Sequence, residues 1–283
     1  MSTLAHQVAL VSEAPSVSFS DVSAVAAALQ KQATRDFGPI WQVNATVSAF
    51  DTLESVPVDY WPIIVRDNIN QPGAAGYHTD DNGQPFSLVE ADAQWQLTAS
   101  HEILEMLADP FGNRTIAGSP PPQAPAPLSA LGRVTYLVEV CDPCEDAQFA
   151  YGVNGQQLSD FITPHYYDPN GATGTQYSFR GNIHAPHTVL ESGYVSFGNP
   201  VTDEWFQILM ENGHIKVQDL GKLNRNGRSL RETIDELVRN VRRLDPARAN
   251  KPPLSRAAFV GGALESSRAR ARLLRDFIAK FES

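Results

Sequence analysis

The segment from Ser100 to Pro110 (SHEILEMLADP) carries a histidine and two glutamates whose spacing suits metal chemistry. On a helix, His101 and Glu105 would lie on one face about one turn apart, so an imidazole and a carboxylate could bind one metal ion. Glu102 would project about 100° further round the helix, where it could hydrogen-bond a water bound to that ion. The pattern follows the logic of the H-E-x-x-H helix, with a glutamate in place of the second histidine. The alternative is an ordinary helix that holds these side chains in solvent.

A third ligand has to come from elsewhere in the chain. Glu139 and Asp142 lie at the end of an apolar run that predicts a buried strand over 134–140. Two carboxylates leaving a buried strand need compensation, either by a metal or by Arg133 and backbone donors at a turn. Asp109 shares the helix face but lies about 12 Å along an intact helix from His101, and Asp109-Pro110 favours a helix-ending turn. We therefore favour Asp142 or Glu139 over Asp109 as the third ligand.

Further candidates fall in the irregular stretch 142–200, which is rich in Pro, Gly, Asn and Tyr. His165 and Tyr166 could contribute to a substrate pocket or supply an additional ligand; the alternative is an ordinary loop histidine and a packing tyrosine. His184 and His187 are weaker candidates of the same kind. Cys141 and Cys144 are the only cysteines, which excludes both a disulfide scaffold and a four-cysteine zinc site.

The elements before the candidate helix predict a layered α/β half-domain. Apolar residues spaced by three and four after Ser20, the expected N-cap, predict a helix that Gly38-Pro39 ends. The candidate helix itself is predicted over 95–108, between Gly- and Pro-containing segments. A Gly/Asn/Asp-rich loop is expected over 68–83. Strands are predicted at 8–11, 41–50, 60–65 and 86–89. The fold class is therefore α/β (α+β), with helices packed on a mixed sheet.

The remainder of the chain predicts a less regular region followed by a helical tail. A proline-rich loop covers 118–127, and Glu211-Asn212-Gly213 indicates a hairpin between two short strands. Helices are predicted over 230–244 and 257–281. We expect one domain over 1–200, with halves 1–117 and 118–200, and a hairpin plus basic helical tail over 201–283.

Residues 7–110 resemble the N-terminal half of zincin-like metallopeptidases. More narrowly, SHEILEMLADP with the later VEVCDPCE is similar to a little-characterised bacterial group with an HE-x-x-E-x-x-x-DP helix and an E-x-x-D-x-C segment, where Glu139, Asp142 and Cys144 stand. The resemblance implies a zinc site and an edge strand, matched by position to 86–89, that binds extended substrate. The helix lacks the second histidine of the larger clan and its Gly-x-x-His or Gly-x-x-Asp continuation.

Charge is divided unevenly along the chain. Residues 1–220 hold 7 of the 22 basic and 25 of the 32 acidic residues, whereas 221–283 hold 15 basic and 7 acidic. An acidic body argues against nucleic acid as a partner. The basic tail could bind an acidic partner, mediate oligomerisation, dock on the acidic body of the same chain, or form a solvated surface. We find no membrane span and no secretory signal, so a cytoplasmic protein is expected.

These observations predict a zinc-dependent peptidase that uses Glu102 as general base toward a peptide or protein substrate. Two carboxylate ligands would weaken the ion as a Lewis acid and would also admit Mn²⁺, Mg²⁺ or Ca²⁺. We therefore expect a slow or narrow peptidase. The alternative is a non-catalytic protein with a structural metal site that acts as a binding or assembly module through its basic helical tail.

Overall fold

The first sheet of the computed structural model, which describes residues 5–71, 73–243 and 263–279, is mixed as predicted. Its strands are β1 (His6–Ser12), β2 (Ala45–Phe50), β3 (Trp61–Arg66), β4 (Gly76–Asp81) and β5 (Gln84–Glu90). They lie in the order β2-β1-β3-β5-β4. β1 runs parallel to β2 and β3, and β3 runs parallel to β5, whereas β4 is antiparallel to β5. The mixed α/β fold class is therefore confirmed.

The described helices lie where the four helices are predicted, with one additional short helix after the first. Residue 244, residues 257–262 and residues 280–281 of the predicted helices lie outside the described residues. They are α1 (Phe19–Lys31), α2 (Gly38–Trp41), α3 (Trp95–Ala108), α4 (Leu230–Arg243) and α5 (Ala263–Ala279), with a π-helical turn over Gln32–Phe37. Ser18, not Ser20, caps α1, because Ser18 and Asp21 form a reciprocal capping box. Gly38-Pro39 does not end this helical region. Pro39 lies in the first turn of α2, where its missing N–H costs nothing, and the chain turns at Gln42.

The expected loop over 68–83 contains a strand. β4 pairs with β5 through a tight turn at Asn82-Gly83, where both residues have positive φ. β5 is consequently flanked by β3 and β4, and the edge strand is β4. The match of 86–89 to an edge strand was therefore wrong. The Asn-Gly dipeptide is the signal that could have revealed the hairpin.

Helix α5 packs on the sheet face opposite to α3. Ala271, Leu274 and Ile278 are buried in one apolar cluster with residues of β1, β3, β4 and β5. The members from those strands are Ala9, Val11, Ile64, Tyr77, Phe86 and Leu88. Ser87 points to the other face, where its hydroxyl lies 3.7 Å from Met106 Sδ on α3. The last described helix thus completes the core begun by the first strands.

Two arginines connect α5 to the segment between β2 and β3 and to the residue that follows β1. Arg270 is 1% exposed, and its guanidinium donates to the backbone carbonyls of Val56, Pro57, Val58 and Tyr60 at 2.7–3.1 Å. Burial lowers the pKa of Arg270 to about 10, which leaves it protonated at neutral pH. Arg275 pairs with Glu13, with Nε 2.6 Å from Oε1, and with Glu54. For α5, the basic tail therefore docks on acidic residues of the same chain.

The second sheet is wholly antiparallel. The later strands are β6 (Thr115–Gly118), β7 (Val134–Leu137), β8 (Tyr151–Val153), β9 (Gln156–Leu158), β10 (Tyr194–Gly198), β11 (Glu204–Glu211) and β12 (His214–Lys222). Five of them form a sheet in the order β12-β11-β10-β7-β6, and β8 and β9 form a separate hairpin. Helix α4 covers the five-stranded sheet through Leu230, Ile234 and Val238, which pack with Leu137, Trp205 and Leu220. The predicted hairpin around Glu211-Asn212-Gly213 is present as β11 and β12.

The chain forms two compact units that interleave in sequence. Among the described residues, those within 1–110, 152–158 and 250–283 form one unit, and those within 111–151 and 159–249 form the other. The division predicted at residues 117 and 200 stays a prediction, because compactness alone does not tell which segments fold independently. Among the described residues, no helix combines the length and the apolar character that a membrane crossing requires.

Replacement of Arg270 by Met should destabilise the first unit. The methionine fills most of the volume, but four backbone carbonyls lose their donor, which should lower the free energy of unfolding by about 2–4 kcal/mol. Urea unfolding monitored by circular dichroism measures the change. Arg272→Met is the matched control, since Arg272 lies exposed on the same helix and should shift stability by less than about 0.5 kcal/mol. Equal effects of the two variants would contradict this account of Arg270.

Candidate metal centre

Helix α3 has the bounds that the sequence predicts. Residues 95–108 contain neither Gly nor Pro, and the helix ends at Asp109, whose N–H bonds the carbonyl of Glu105 at 2.7 Å before Pro110 prevents continuation. Strands β3, β4 and β5 pack against α3, as does the β8–β9 hairpin through β9. The helix is therefore held in place along most of its length.

The polar residues of α3 are not in solvent. The side chain of Glu102 is 4% exposed, that of Glu105 is fully buried, and that of His101 is 13% exposed. The alternative of a helix with a solvated polar face is therefore wrong. Burying two carboxylates costs several kcal/mol each unless their charges are compensated. Such compensation can come from neighbouring cationic or hydrogen-bonding groups or from a bound ion.

His101 and Glu105 contact each other as their spacing predicts. His101 Nε2 lies 3.2 Å from Glu105 Oε1. Two atoms bound tetrahedrally to one zinc ion at 2.0–2.1 Å are about 3.3 Å apart. This pair of side chains therefore has the separation that two ligands of one ion require.

His78 joins this cluster, and the sequence analysis missed it. It lies on β4 opposite Ser87 and therefore faces α3. Its side chain is fully buried, with Nδ1 3.4 Å from Glu102 Oε2 and 3.8 Å from Glu105 Oε2. Two imidazoles and two carboxylates consequently meet between the edge strand and the helix.

Gly76 on β4 makes room for Glu102. A Cβ atom built on Gly76 would lie 2.6 Å from Thr98 Cγ2 and 2.9 Å from Glu102 Oε1. Any other residue at position 76 would displace β4 or the Glu102 carboxylate. The close approach of strand and helix at this point brings His78 to its two carboxylate partners.

Glu139 and Asp142 belong to the second unit. The charge of Glu139 is compensated there by Arg231 of α4, with Nη1 3.0 Å from Oε2 and both side chains 8% exposed. The compensating residue is thus Arg231 and not Arg133, which lies exposed. Asp142 is 1% exposed and begins a short 3-10 turn with Pro143 and Cys144. The assignment of either residue as third ligand stays a prediction.

The remaining candidates do not share one environment. Asp109 is buried at the end of α3 and serves as its C-cap. His165 is largely exposed and pairs with Asp168, Nδ1 to Oδ2, at 2.8 Å. Tyr166 is fully buried, and burial holds the pKa of its phenol well above the usual range, so it stays protonated at neutral pH. Neither His165 nor Tyr166 is an element of the cluster on α3.

Comparison with protein-family models, with curated proteins and with solved structures finds no match. The resemblance to zincin-like peptidases therefore rests only on the sequence patterns of residues 7–110 and of the later segment.

Replacement of Gly76 by Ala tests the packing of β4 against Glu102. The added methyl group would overlap Thr98 and Glu102, and the resulting strain should lower the free energy of unfolding by about 1–3 kcal/mol. Denaturant unfolding measures it. Gly152→Ala is the control, because a Cβ there meets nothing within 4 Å and φ is not positive. If Gly76→Ala were as stable as Gly152→Ala, the crowding at Glu102 would be refuted.

His187 in the second unit should make stability depend on pH. Its ring stacks on Tyr136 with centroids 4.9 Å apart, and burial lowers its pKa to about 4, against about 6.5 in an unfolded chain. The unfolded state then binds more protons between pH 6.5 and 4, so stability is complete above pH 6.5 and falls as pH decreases toward 4.

The variant His187→Asn, whose residue type tolerates the positive φ at this position, should remove about 1–3 kcal/mol of the stability difference between pH 7 and pH 4.5. Urea unfolding at the two pH values measures it. His184→Asn, an exposed position nearby in sequence, should leave the difference as in the wild type. A His187→Asn protein with the wild-type pH dependence would show that His187 does not titrate as described.

Proposed function

We propose that this protein is a zinc-dependent peptidase of the zincin type, in which His101 and Glu105 bind the ion and Glu102 is the general base. The observation that carries the proposal is the burial of Glu102 and Glu105 beside imidazoles on a rigid helix. Buried carboxylates require compensation, and a divalent cation supplies it together with a catalytic function.

The side chains of α3 fit a zinc ion in type and distance. Imidazole nitrogen and carboxylate oxygen are ordinary zinc donors, and the 3.2 Å between His101 Nε2 and Glu105 Oε1 agrees with two ligands of one ion. Glu102 lies on the same helix one residue after His101, which is the relation of base to ligand in H-E-x-x-H enzymes. When bound, the ion lowers the pKa of a coordinated water and polarises a carbonyl group.

Glu102 is suited to act as the general base that takes a proton from the attacking water. Its Oε2 is buried and accepts no hydrogen bond from the residues that the structure describes, so a lone pair is available to a water. In hydrolysis, Glu102 takes the proton of the attacking water as the new C–O bond forms. It then delivers that proton to the leaving nitrogen as the C–N bond breaks. Gly76 leaves the space that this carboxylate occupies, since Glu102 Oε1 would be 2.9 Å from any Cβ there.

A peptide is the substrate class that the fold around α3 favours. β4 is the edge strand of the first sheet and runs antiparallel to β5. Edge strands can pair with an extended chain through their backbone groups. The resemblance to zincin-like peptidases implies substrate binding at such a strand, and β4 takes the place expected for 86–89.

Asp142 and Glu139 stay the two candidates that the sequence predicts for a third ligand. Arg231 pairs with Oε2 of Glu139 at 3.0 Å, so part of the cost of burying Glu139 is offset without an ion. The alternative function, an assembly module that recruits acidic partners through a basic tail, has less support. Arg270 and Arg275 of α5 bind groups of their own unit, and Arg231 of α4 binds Glu139.

The variant Glu102→Gln tests the proposal. It keeps the shape of the side chain but cannot accept a proton, so cleavage of a peptide library, measured by mass spectrometry, should fall by about 10²–10⁴-fold. Zinc content, measured by elemental analysis of protein purified without an affinity tag, should remain that of the wild type. Glu211→Gln, at an exposed end of β11, is the control and should keep full activity.

Two results would overturn the proposal. One is a wild-type protein that contains metal and cleaves no member of the library. The other is a Glu102→Gln protein whose cleavage rate is within twofold of the wild-type rate.

A further inference from the structure

His78 has no role in the hydrolysis described above, although it lies fully buried beside both carboxylates. It belongs to β4 and approaches α3 from the strand side, whereas His101 belongs to α3 itself. The two histidines therefore reach Glu105 from different elements. A buried imidazole in this position has to be explained by what it binds.

The two oxygens of Glu105 face two different imidazoles. Oε1 lies 3.2 Å from His101 Nε2, and Oε2 lies 3.8 Å from His78 Nδ1. Two atoms that bind one ion at 2.0–2.2 Å can be at most about 4.4 Å apart. Each histidine nitrogen therefore lies close enough to one oxygen of Glu105 for both atoms to bind the same ion. This is the arrangement of a carboxylate that bridges two metal positions.

Glu102 supplies independent support for the position beside His78. Its Oε2 lies 3.4 Å from His78 Nδ1, is buried, and accepts no hydrogen bond from the described residues. A buried oxygen without a donor is costly unless a ligand satisfies it. One divalent ion at His101 would balance the two carboxylates formally, whereas an ion beside His78 would also lie next to this oxygen of Glu102.

We propose that His78 Nδ1 and Glu105 Oε2 form a second divalent-cation position, flanked by Glu102, so that Glu105 bridges two ions. The inference rests on the proposed function in that it takes His101 and Glu105 Oε1 as the first position. Mixed imidazole and carboxylate donors suit Zn²⁺, Co²⁺ and Mn²⁺. Two ions about 3.5–4 Å apart are an established device of hydrolases, including aminopeptidases.

Metal stoichiometry tests the second position without reference to activity. The full chain, stripped of metal and free of affinity tags, is titrated with Co²⁺ by isothermal calorimetry, and bound metal is measured after equilibrium dialysis. The wild type should bind two equivalents. His78→Gln and His101→Gln should each bind one, and the control His214→Gln, which changes an exposed residue of β12, should bind two. Circular dichroism verifies that each variant is folded.

The size of the effect distinguishes a ligand from a residue that only orients Glu105. Loss of an outer partner weakens metal binding by about 10–100-fold and keeps the number of sites. Loss of a ligand should weaken the second site by more than 100-fold and leave one equivalent bound.

Electron paramagnetic resonance of the wild type loaded with two equivalents of Mn²⁺ gives a second readout that needs no variant. Ions bridged by Glu105 should show spin coupling. One equivalent in the wild type, two in His78→Gln, or an uncoupled Mn²⁺ spectrum would each overturn the second position. If two coupled ions are bound but no peptide is cleaved, the proposed function fails and the second position stands. If one ion is bound and Glu102-dependent cleavage is seen, the proposed function stands and the second position fails.

Discussion

Two carboxylates buried on one helix are the constraint on which the candidate site depends. Glu102 and Glu105 lie one turn or less apart on α3, and water cannot solvate either of them freely. Histidines from two elements stand against them, and a strand approaches closely enough that only glycine fits at position 76. The cost of this burial is several kcal/mol per charge. The packing around α3 must therefore be strong enough to hold the carboxylates in place, whether or not an ion is bound.

Local signals in the sequence correctly predict the helix that contains the candidate site. The run without Gly or Pro from Trp95 to Ala108 gives both ends of α3, and the i, i+4 spacing correctly predicts that His101 and Glu105 meet. The same spacing is compatible with a solvated face, so their burial could not be predicted. The burial of these side chains depends on β4. The polar composition of 68–83 predicts a loop there and gives no indication of this strand. His78 was missed for that reason and not because its own residue type was uninformative.

Long-range pairing is the other part that the sequence does not predict. Glu139 is compensated by Arg231, 92 residues further along the chain, and no local pattern links the two. The excess of arginine in the tail indicates an acidic partner surface, but it does not predict which acidic residues form it. Arg275 pairs with Glu13 and Glu54, whereas Arg270 donates its hydrogen bonds to backbone carbonyl oxygens. The net charge of the tail therefore predicts that its arginines form contacts within the chain, but it does not predict which atoms they contact.

The position of α5 on the first sheet has a consequence for synthesis of the chain on the ribosome. β5 ends at Glu90, whereas the helix that covers the apolar side of Phe86 and Leu88 begins at Ala263, roughly 170 residues later. At translation rates of about 5–20 residues per second, this side of the sheet stays uncovered for roughly 10–35 s. Throughout that interval the nascent protein therefore exposes an apolar surface to which chaperones can bind. The core of the first unit is therefore completed only after α5 has been synthesised, whatever the order in which its strands assemble.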